Sequence, residues 1–433
     1  FLHFSYIQKM KEELLHFIWQ FQNFKQNELE SFDGKQIQVL NSGQHNGDAG
    51  PDFLNARIKI DDTLWAGNVE IHVHQSDWQK HGHQKDPKYK NIILHVCYFM
   101  DTEIPELNAH VPTLVLNGIV QPSLLDKYKK LQQNKHWIPC ARMITPEILK
   151  SQMPFYGFAL CMERMEKRCA EISEIFKKSK SDWEATAYAM LARSFGSRAN
   201  KFAFEQLMQS IPYKILIKHA GNMFQLEALL LGQANLLPKA ANDSYVQKLI
   251  EEYRFLKKKY NLKAMKREAW NYSKLRPANF PDLKIVQMAH FIHQFPQLFS
   301  KFLALKNAID FSKHTKIKAS SYWDNHYRID TASKVKREKT LSPSFLNLLI
   351  INAIVPLVFY YGKKNDNLEI KESALNLLEQ IPAENNSIVK RWENLGYKAE
   401  NALESQALIE LKKEYCDKIL CLKCRIGAKL FNS

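Results

Sequence analysis

No stretch of this 433-residue chain is disordered by composition: 45% of its residues are hydrophobic, 12% aromatic and 24% charged, a globular balance. It also lacks an unbroken membrane span. The longest apolar run, FLNLLIINAIVPLVFYY from Phe345 to Tyr361, is interrupted by Asn347, Asn352 and Pro356 and sits at the lower length limit for crossing a bilayer. A buried core helix is therefore expected, in a cytoplasmic protein with no membrane partner. No fixed-period repeat is present, which excludes a solenoid. The chain opens on Phe1 rather than methionine, so the native start is expected upstream. The segment YIQKMKEELLHFIWQF mixes charges with apolar residues and reads as an amphipathic helix, not a signal peptide.

Acidic residues are the other shortage. There are 45 Asp and Glu against 61 Lys and Arg, a net charge of +16. The first 145 residues hold 15 basic and 16 acidic side chains, the remainder 46 and 29, so all the net positive charge lies in the later part. A strongly basic body points to a polyanionic partner, nucleic acid first. The plain alternative is a solvated, lysine-rich helical surface. Histidine is skewed the other way, with six of 15 between His45 and His95.

The length allows two or three domains. After the N-terminal helix, KQIQVLNSG reads as a strand, QHNGDAGPDF as a bend, and FLNARIKI and WAGNVEIHV as a hairpin. SDWQKH suggests a short helix capped by Ser76. NIILHVCYFM is apolar enough for a strand buried on both faces, and PTLVLNGIV suggests one more. From Pro146 apolar residues recur at helical spacing. The expected fold is α/β plus α: a mixed-sheet domain over 1–140, then an irregular, mostly helical domain over 141–433.

The hairpin poses the chemical question. It carries Asp52 at one strand's entrance and Glu70, His72 and His74 in the other, residues a routine half-buried hairpin does not need. Alternation puts Glu70, His72 and His74 on one face. With a three-residue loop, Asp61-Asp62-Thr63, Asp52 falls opposite His72 and joins Glu70; a two-residue loop turns Asp52 to the other face. Two converging carboxylates call for a cation, and hard oxygen ligands suit Mg²⁺ or Mn²⁺. The competing reading is a solvated strand face with an incidental charge cluster.

Pro51-Asp52, seventeen residues, then Glu70-Ile71-His72 resembles the PD-(D/E)XK nuclease superfamily, and the order helix, strand, hairpin, helix, strand is similar to its core. The resemblance implies that Asp52 and Glu70 hold the metal with the Ile71 carbonyl, that Glu12 or Glu13 adds to the shell, and that His72 stands where the family has lysine. A histidine there can accept a proton but is mostly neutral at pH 7. A second resemblance spans the whole chain. NGDAGPDF, GNVEIHVHQSDWQKHGH, NIILHV and YCDKILCLKC look like a bacterial family known only as a domain of unknown function.

Three further clusters carry chemistry. HGHQKD offers His81, His83 and Asp86, a spacing that suits zinc or a supporting role beside Glu70. Cys416, Cys421 and Cys424 form a C-x4-C-x2-C run; three close thiols in a cytosolic protein read as metal ligands rather than disulfides. Cys140 is the preferred fourth ligand over Cys97, Cys161 and Cys169, and the set fits zinc. The resemblance to PD-(D/E)XK nucleases, some of which tie their chain ends together with an iron–sulfur cluster, implies a [4Fe–4S] cluster as the other occupant. In FLKKKYNLKAMKREAWNYSKLRP, Lys257, Lys258, Lys259, Lys266, Arg267 and Arg276 suit phosphate contacts, with Trp270 among the aromatics for base stacking. The expected function is a metal-dependent nuclease. The alternatives are a nucleic-acid-binding protein with a decayed nuclease core, and a zinc hydrolase of small molecules built on the histidine cluster.

Overall fold

A computed structural model describes residues 10–432, so the start of the expected N-terminal helix lies outside the described residues. The described chain forms two compact units, residues 10–152 with 412–432, and residues 153–411.

The first unit is built on a seven-stranded mixed sheet. Helix α1 (Glu12–Gln20) places both acids of its first turn at the positive end of the helix dipole. It buries Leu14, Leu15, Phe17, Ile18 and Trp19, and Trp19 Nε1 donates to Ser42 O at 2.9 Å. Strands β1 (Leu29–Glu30), β2 (Gln36–Asn41) and β3 (Gln44–His45) lead to β4 (Phe53–Ile60) and β5 (Thr63–His74). These two pair antiparallel, while β6 (Ile92–Phe99) and β7 (Thr113–Val115) extend the sheet in parallel. The parallel step from β5 to β6 requires a crossover, which contains the short helix α2 (Asp77–Lys80) and two turns of 3₁₀ helix. Ser76 precedes α2 but does not cap it; its hydroxyl donates to Asp101 Oδ2 at 2.6 Å instead. β6 is buried along nearly its whole length, as its apolar run implies.

The hairpin register differs from the expectation. Ile60 pairs with Thr63, so the turn has two residues, Asp61 and Asp62, not three. Strict alternation from that turn would aim Asp52 away from Glu70. A β-bulge restores the parity: Ala56 pairs with Gly67 but Phe53 with Val69, leaving one extra residue in β4. Asn55 absorbs it in the left-handed region (φ 58°), its amide held by Asn68 Oδ1 at 3.2 Å. Asparagine tolerates that conformation better than most side chains. Asp52 is thereby returned to the face of Glu70.

The sequence alone groups the C-terminal cysteines with the helical domain. The structure groups residues 412–432 with the sheet, because helix Arg425–Asn432 buries Ile426, Leu430 and Phe431 there. The Phe431 ring sits 5.3 Å from that of Phe17.

The second unit is almost entirely helical, with a small ribbon pairing His326–Arg328 and Thr331–Ala332. Among the described residues, one helical run, Pro343–Lys364, is long and apolar enough to cross a membrane, and 72% of its most apolar window is buried. Pro356 lies within this run and has no N–H to give, so the preceding turn widens to π geometry over Ile350–Ile354. The carbonyls this leaves without a partner are taken by Arg168, which donates to Ile351 O at 3.0 Å and Asn352 O at 2.9 Å. The basic stretch departs from the expected stacking surface. Lys257, Lys258, Lys259, Lys266, Arg267 and Arg276 are exposed, but Trp270 is buried with its Nε1 donating to Ala234 O at 2.8 Å. Tyr272 hydrogen-bonds Asp282. Trp270 and Tyr272 are thereby tied into the fold, while Phe255 is exposed alongside the lysines and arginines.

Candidate metal centre

The buried half of β5 carries the centre of the site. Glu70 and His72 lie on one face of the sheet, 4% and 1% exposed. Asp52 N donates to Glu70 Oε2 at 3.1 Å, and Ile71 N donates to Asp52 Oδ2 at 2.9 Å, so the strand ends lock the two carboxylates side by side. One oxygen of each acid remains. Glu70 Oε1 faces His83 Nε2 at 3.1 Å and His72 Nε2 at 3.7 Å, while Asp52 Oδ1 faces His16 Nε2 at 3.4 Å.

The crossover after β5 turns back over this face and delivers His81 and His83. His72 Nε2 and His83 Nε2 are 3.2 Å apart, and ligating atoms of His72, His81 and His83 all lie within 4.8 Å of one another. The His83 ring stacks on Tyr89 with centroids 4.0 Å apart, and Trp78 packs edge-on against it. These contacts hold a loop histidine over the strand.

The distances among His72, His83 and Glu70 test whether one ion fits. For bonds of about 2.1 Å, separations of 3.1, 3.2 and 3.7 Å subtend about 95°, 99° and 124° at a shared ion. Those angles suit a tetrahedral or distorted higher-coordinate site. Two or three imidazoles with one carboxylate form a nitrogen-rich donor set, which favours zinc or manganese over magnesium.

Electrostatics favour the same state of the ligands. Burial, followed by the neighbouring His95 and His83, pushes the His72 pKa down to about 2. Burial, then His83, pushes His95 down to about 3. Both rings are therefore neutral, and their contacts allow one consistent proton order. His72 Nδ1–H donates to His95 Nε2 at 3.0 Å and His95 Nδ1–H to Thr113 Oγ1 at 3.4 Å. The Thr113 hydroxyl then donates to Asn108 Oδ1, also at 3.4 Å. This order leaves the His72 Nε2 lone pair aimed at Glu70 and His83, the outer arrangement that orients a ligating imidazole. Burial raises the Glu70 pKa; the hydrogen bond from His83 opposes it and the Asp52 charge adds to it.

A second group flanks the first. Glu12 and His16, four residues apart on α1, share a helix face. Burial would lower the His16 pKa, but its hydrogen bond to Asp52 and the charges of Asp52, Glu12 and Glu70 raise it overall. Burial, then Asp52, raises Glu12. His45 Nε2 is 3.3 Å from His16 Nδ1.

The structure thus brings together Asp52, Glu70, His72, His81 and His83. It leaves out His74, which lies 3.9 Å from Asp101 Oδ2 and stacks on Phe99. It also leaves out Asp86, whose Oδ1 accepts from Lys88 N at 2.9 Å to start a 3₁₀ turn. Glu13 is replaced by Glu12: Glu13 Oε1 lies 3.9 Å from Lys423, while Glu12 is the acid near Asp52. Sequence reasoning missed His95, His16 and His45. His95 had a visible signal, a histidine in the middle of an otherwise apolar strand.

The family described as protein of unknown function (DUF2851) matches residues 12–387, most of the chain. The chain belongs to this family. The matched span holds the whole histidine and carboxylate cluster and Cys140, and ends before Cys416. No curated protein and no solved structure matches the chain.

Proposed function

We propose that this DUF2851 member is a metal-dependent phosphodiesterase acting on nucleic acid. The observation that carries the reading is the convergence of Glu70, His72, His83 and His81 around a space that accommodates one ion, beside a second carboxylate, Asp52. The donor set moves the expected metal from magnesium towards zinc or manganese. An ion held by Glu70, His72, His81 and His83 would polarise a phosphoryl oxygen and would lower the pKa of a bound water to about 7. Asp52 and His16, 3.4 Å apart beside Glu70, would be the groups that accept a proton at that edge of the site.

The substrate class rests on charge and on resemblance. The later part of the chain carries the whole positive excess, and its exposed lysines suit phosphates. The order helix, antiparallel hairpin, parallel strand, with Pro51-Asp52 and Glu70 on the hairpin, supports the likeness to PD-(D/E)XK nucleases. His72 in the lysine position becomes a metal ligand in this reading, so the missing lysine does not count against activity. The zinc hydrolase of small molecules shares the metal and needs His81, His83 and Asp86 to converge with His72 or His74; His72 joins the two loop histidines, but Asp86 is engaged with Lys88 N instead.

The test uses metal-stripped full-length protein, reloaded with zinc or manganese. Cleavage of bis(p-nitrophenyl) phosphate and of single- and double-stranded DNA and RNA is expected, lost in Glu70→Gln and His72→Ala. A wild type that binds the metal but cleaves no phosphodiester overturns the enzyme reading. Nucleic-acid binding without cleavage would favour the decayed core.

A further inference from the structure

Four cysteines stand apart from that site. Cys416 ends a widened helical turn over Leu411–Cys416, and the chain then reverses: Leu420 N donates to Tyr415 O at 2.9 Å, and Ile419 adopts a left-handed conformation (φ 56°). Cys421 opens a 3₁₀ turn, and Cys424 N donates back to Cys421 O at 3.3 Å. Helix Arg425–Asn432 follows directly. A side chain at Gly427 would bring its β-carbon to 2.0 Å from Cys421 O, so only glycine lets the helix rest on the turn. The Trp137–Cys140 segment comes to the same place. Lys412 Nζ lies 5.3 Å from the Trp137 ring centroid, and Cys140 starts its own turn by accepting from Met143 N and Ile144 N.

These contacts bring together two segments that are far apart in sequence and that carry four thiols. Cys140, Cys421 and Cys424 are buried, and Cys416 is half-buried. Cys140 lies within electrostatic reach of Cys421 and Cys424. Cys416 lies within electrostatic reach of Cys424, Cys140 and Cys421. The other buried cysteines, Cys97, Cys161 and Cys169, show no thiol among the charges that perturb them. Burying one thiol is ordinary core packing. Gathering four from two remote segments, around a turn that requires Gly427, is not.

We propose that Cys140, Cys416, Cys421 and Cys424 form a four-thiolate centre for a thiophilic metal, either one zinc ion or a [4Fe–4S] cluster. With zinc, four S–H bonds break, four Zn–S bonds form and four protons leave to solvent; the metal keeps its oxidation state. Lys412, a cation whose charge favours a thiolate at Cys416, would partly offset the resulting dianion. The centre would fasten the C-terminus to the 137–140 segment. It would also brace α1, since Cys421 lies in the field of Glu13, and Lys423 Nζ is 3.9 Å from Glu13 Oε1. The neighbouring Glu12 and His16 of that helix reach Asp52, so the thiolate centre would position one wall of the other site without touching substrate.

The experiment is metal and sulfide analysis of full-length protein purified without oxygen, on wild type, Glu70→Gln, Cys140→Ser and Cys421→Ser. A zinc centre gives colourless protein with roughly one zinc held by four thiolates. A cluster gives brown protein with roughly four iron and four sulfide. Either is expected to survive Glu70→Gln and to be lost in Cys140→Ser, so this result is independent of the phosphodiesterase reading. Because Cys421→Ser may be read only if it folds, wild type is also titrated with a thiol reagent: four protected thiols should react only as metal is released. Wild type free of zinc and iron beyond what Glu70→Gln removes would overturn the proposal. So would Cys140→Ser retaining the full metal content, or disulfides among the four.

Discussion

Replacing Glu70 by glutamine separates the fold from the metal. Glutamine has nearly the same shape, and its oxygen can still accept from Asp52 N where Glu70 Oε2 does so at 3.1 Å. Its amide nitrogen then takes the place of Oε1, which lies 3.1 Å from His83 and 3.7 Å from His72. Two N–H groups would point into the space proposed for the ion. Metal affinity should fall at least about 100-fold, close to 2.8 kcal/mol. Without metal the balance reverses. Burial raises the Glu70 pKa, so the native state pays for its charge at neutral pH, and the neutral amide removes that cost. Metal-free Glu70→Gln should therefore melt at the wild-type temperature or slightly above. Zinc at 100 times its Kd stabilises the wild type by about 2.7 kcal/mol, or about 5–10 °C for a unit of this size. Thermal unfolding with and without zinc, followed by near-ultraviolet circular dichroism, reads both effects. A variant with an undiminished zinc shift would refute the assignment of Glu70 as a ligand. A metal-free variant melting several degrees lower would show that the carboxylate serves the fold instead.

Thr113→Val leaves the His95 Nδ1–H without its acceptor and should weaken zinc binding about 10-fold by loosening the His72 ring, measured by competition with a zinc indicator. Deleting Asn55 removes the bulge but keeps Asp52 opposite Glu70, because Leu54 then faces Asn68 in unbroken alternation; phosphodiester cleavage should survive in the activity assay. Asn55→Val, β-branched at a left-handed position, should instead lower stability by about 1–2 kcal/mol in denaturant titration. Arg168→Met strands the carbonyls of Ile351 and Asn352 and should lower stability by about 2–4 kcal/mol in denaturant titration. Burial lowers the Lys284 pKa to about 8, against an ordinary 10.5. The folded protein then binds fewer protons than the unfolded chain between those values, so the cost is full below pH 8 and fades as pH rises to 10.5. It amounts to about 3 kcal/mol; Lys284→Met should raise stability at pH 7 by about 1–2 kcal/mol after losing the Gln287 hydrogen bond, with the advantage gone at pH 10.5.

Legibility in the sequence followed the range of the forces involved. Alternation in FLNARIKI and WAGNVEIHV, the apolar run of β6, and the helical spacing from Pro146 are local patterns, and the structure has strands and helices there. Asp52, Glu70 and His72 stand close in sequence on one hairpin, so their shared face was open to inference. The reason inferred for it, a three-residue loop, was wrong. The turn is one residue shorter, and Asn55 makes up the difference through a backbone state that its neighbours in sequence do not announce. Trp270 shows the opposite failure. Its basic surroundings suggested a stacking surface, but an indole gains more by burial with its N–H satisfied than by exposure among lysines.

The histidines show where sequence reasoning ends. His81 and His83 were recognisable as ligands because they sit two residues apart on a polar loop, yet which strand they would cover depended on how the crossover returned. His16 looked like one more polar position on an amphipathic helix, and His95 like an interruption in an apolar strand. Each gains a role only when packing sets it against the hairpin: His16 Nε2 at 3.4 Å from Asp52, and His95 Nε2 at 3.0 Å from His72. A neutral imidazole in a strand core is costly unless both nitrogens find partners, and His95 has them in His72 and Thr113. A core that needed only hydrophobic burial would place another valine or isoleucine there. Keeping a hydrogen-bonded chain from Asn108 through Thr113 and His95 to His72 makes sense if the last nitrogen in the chain has something to hold.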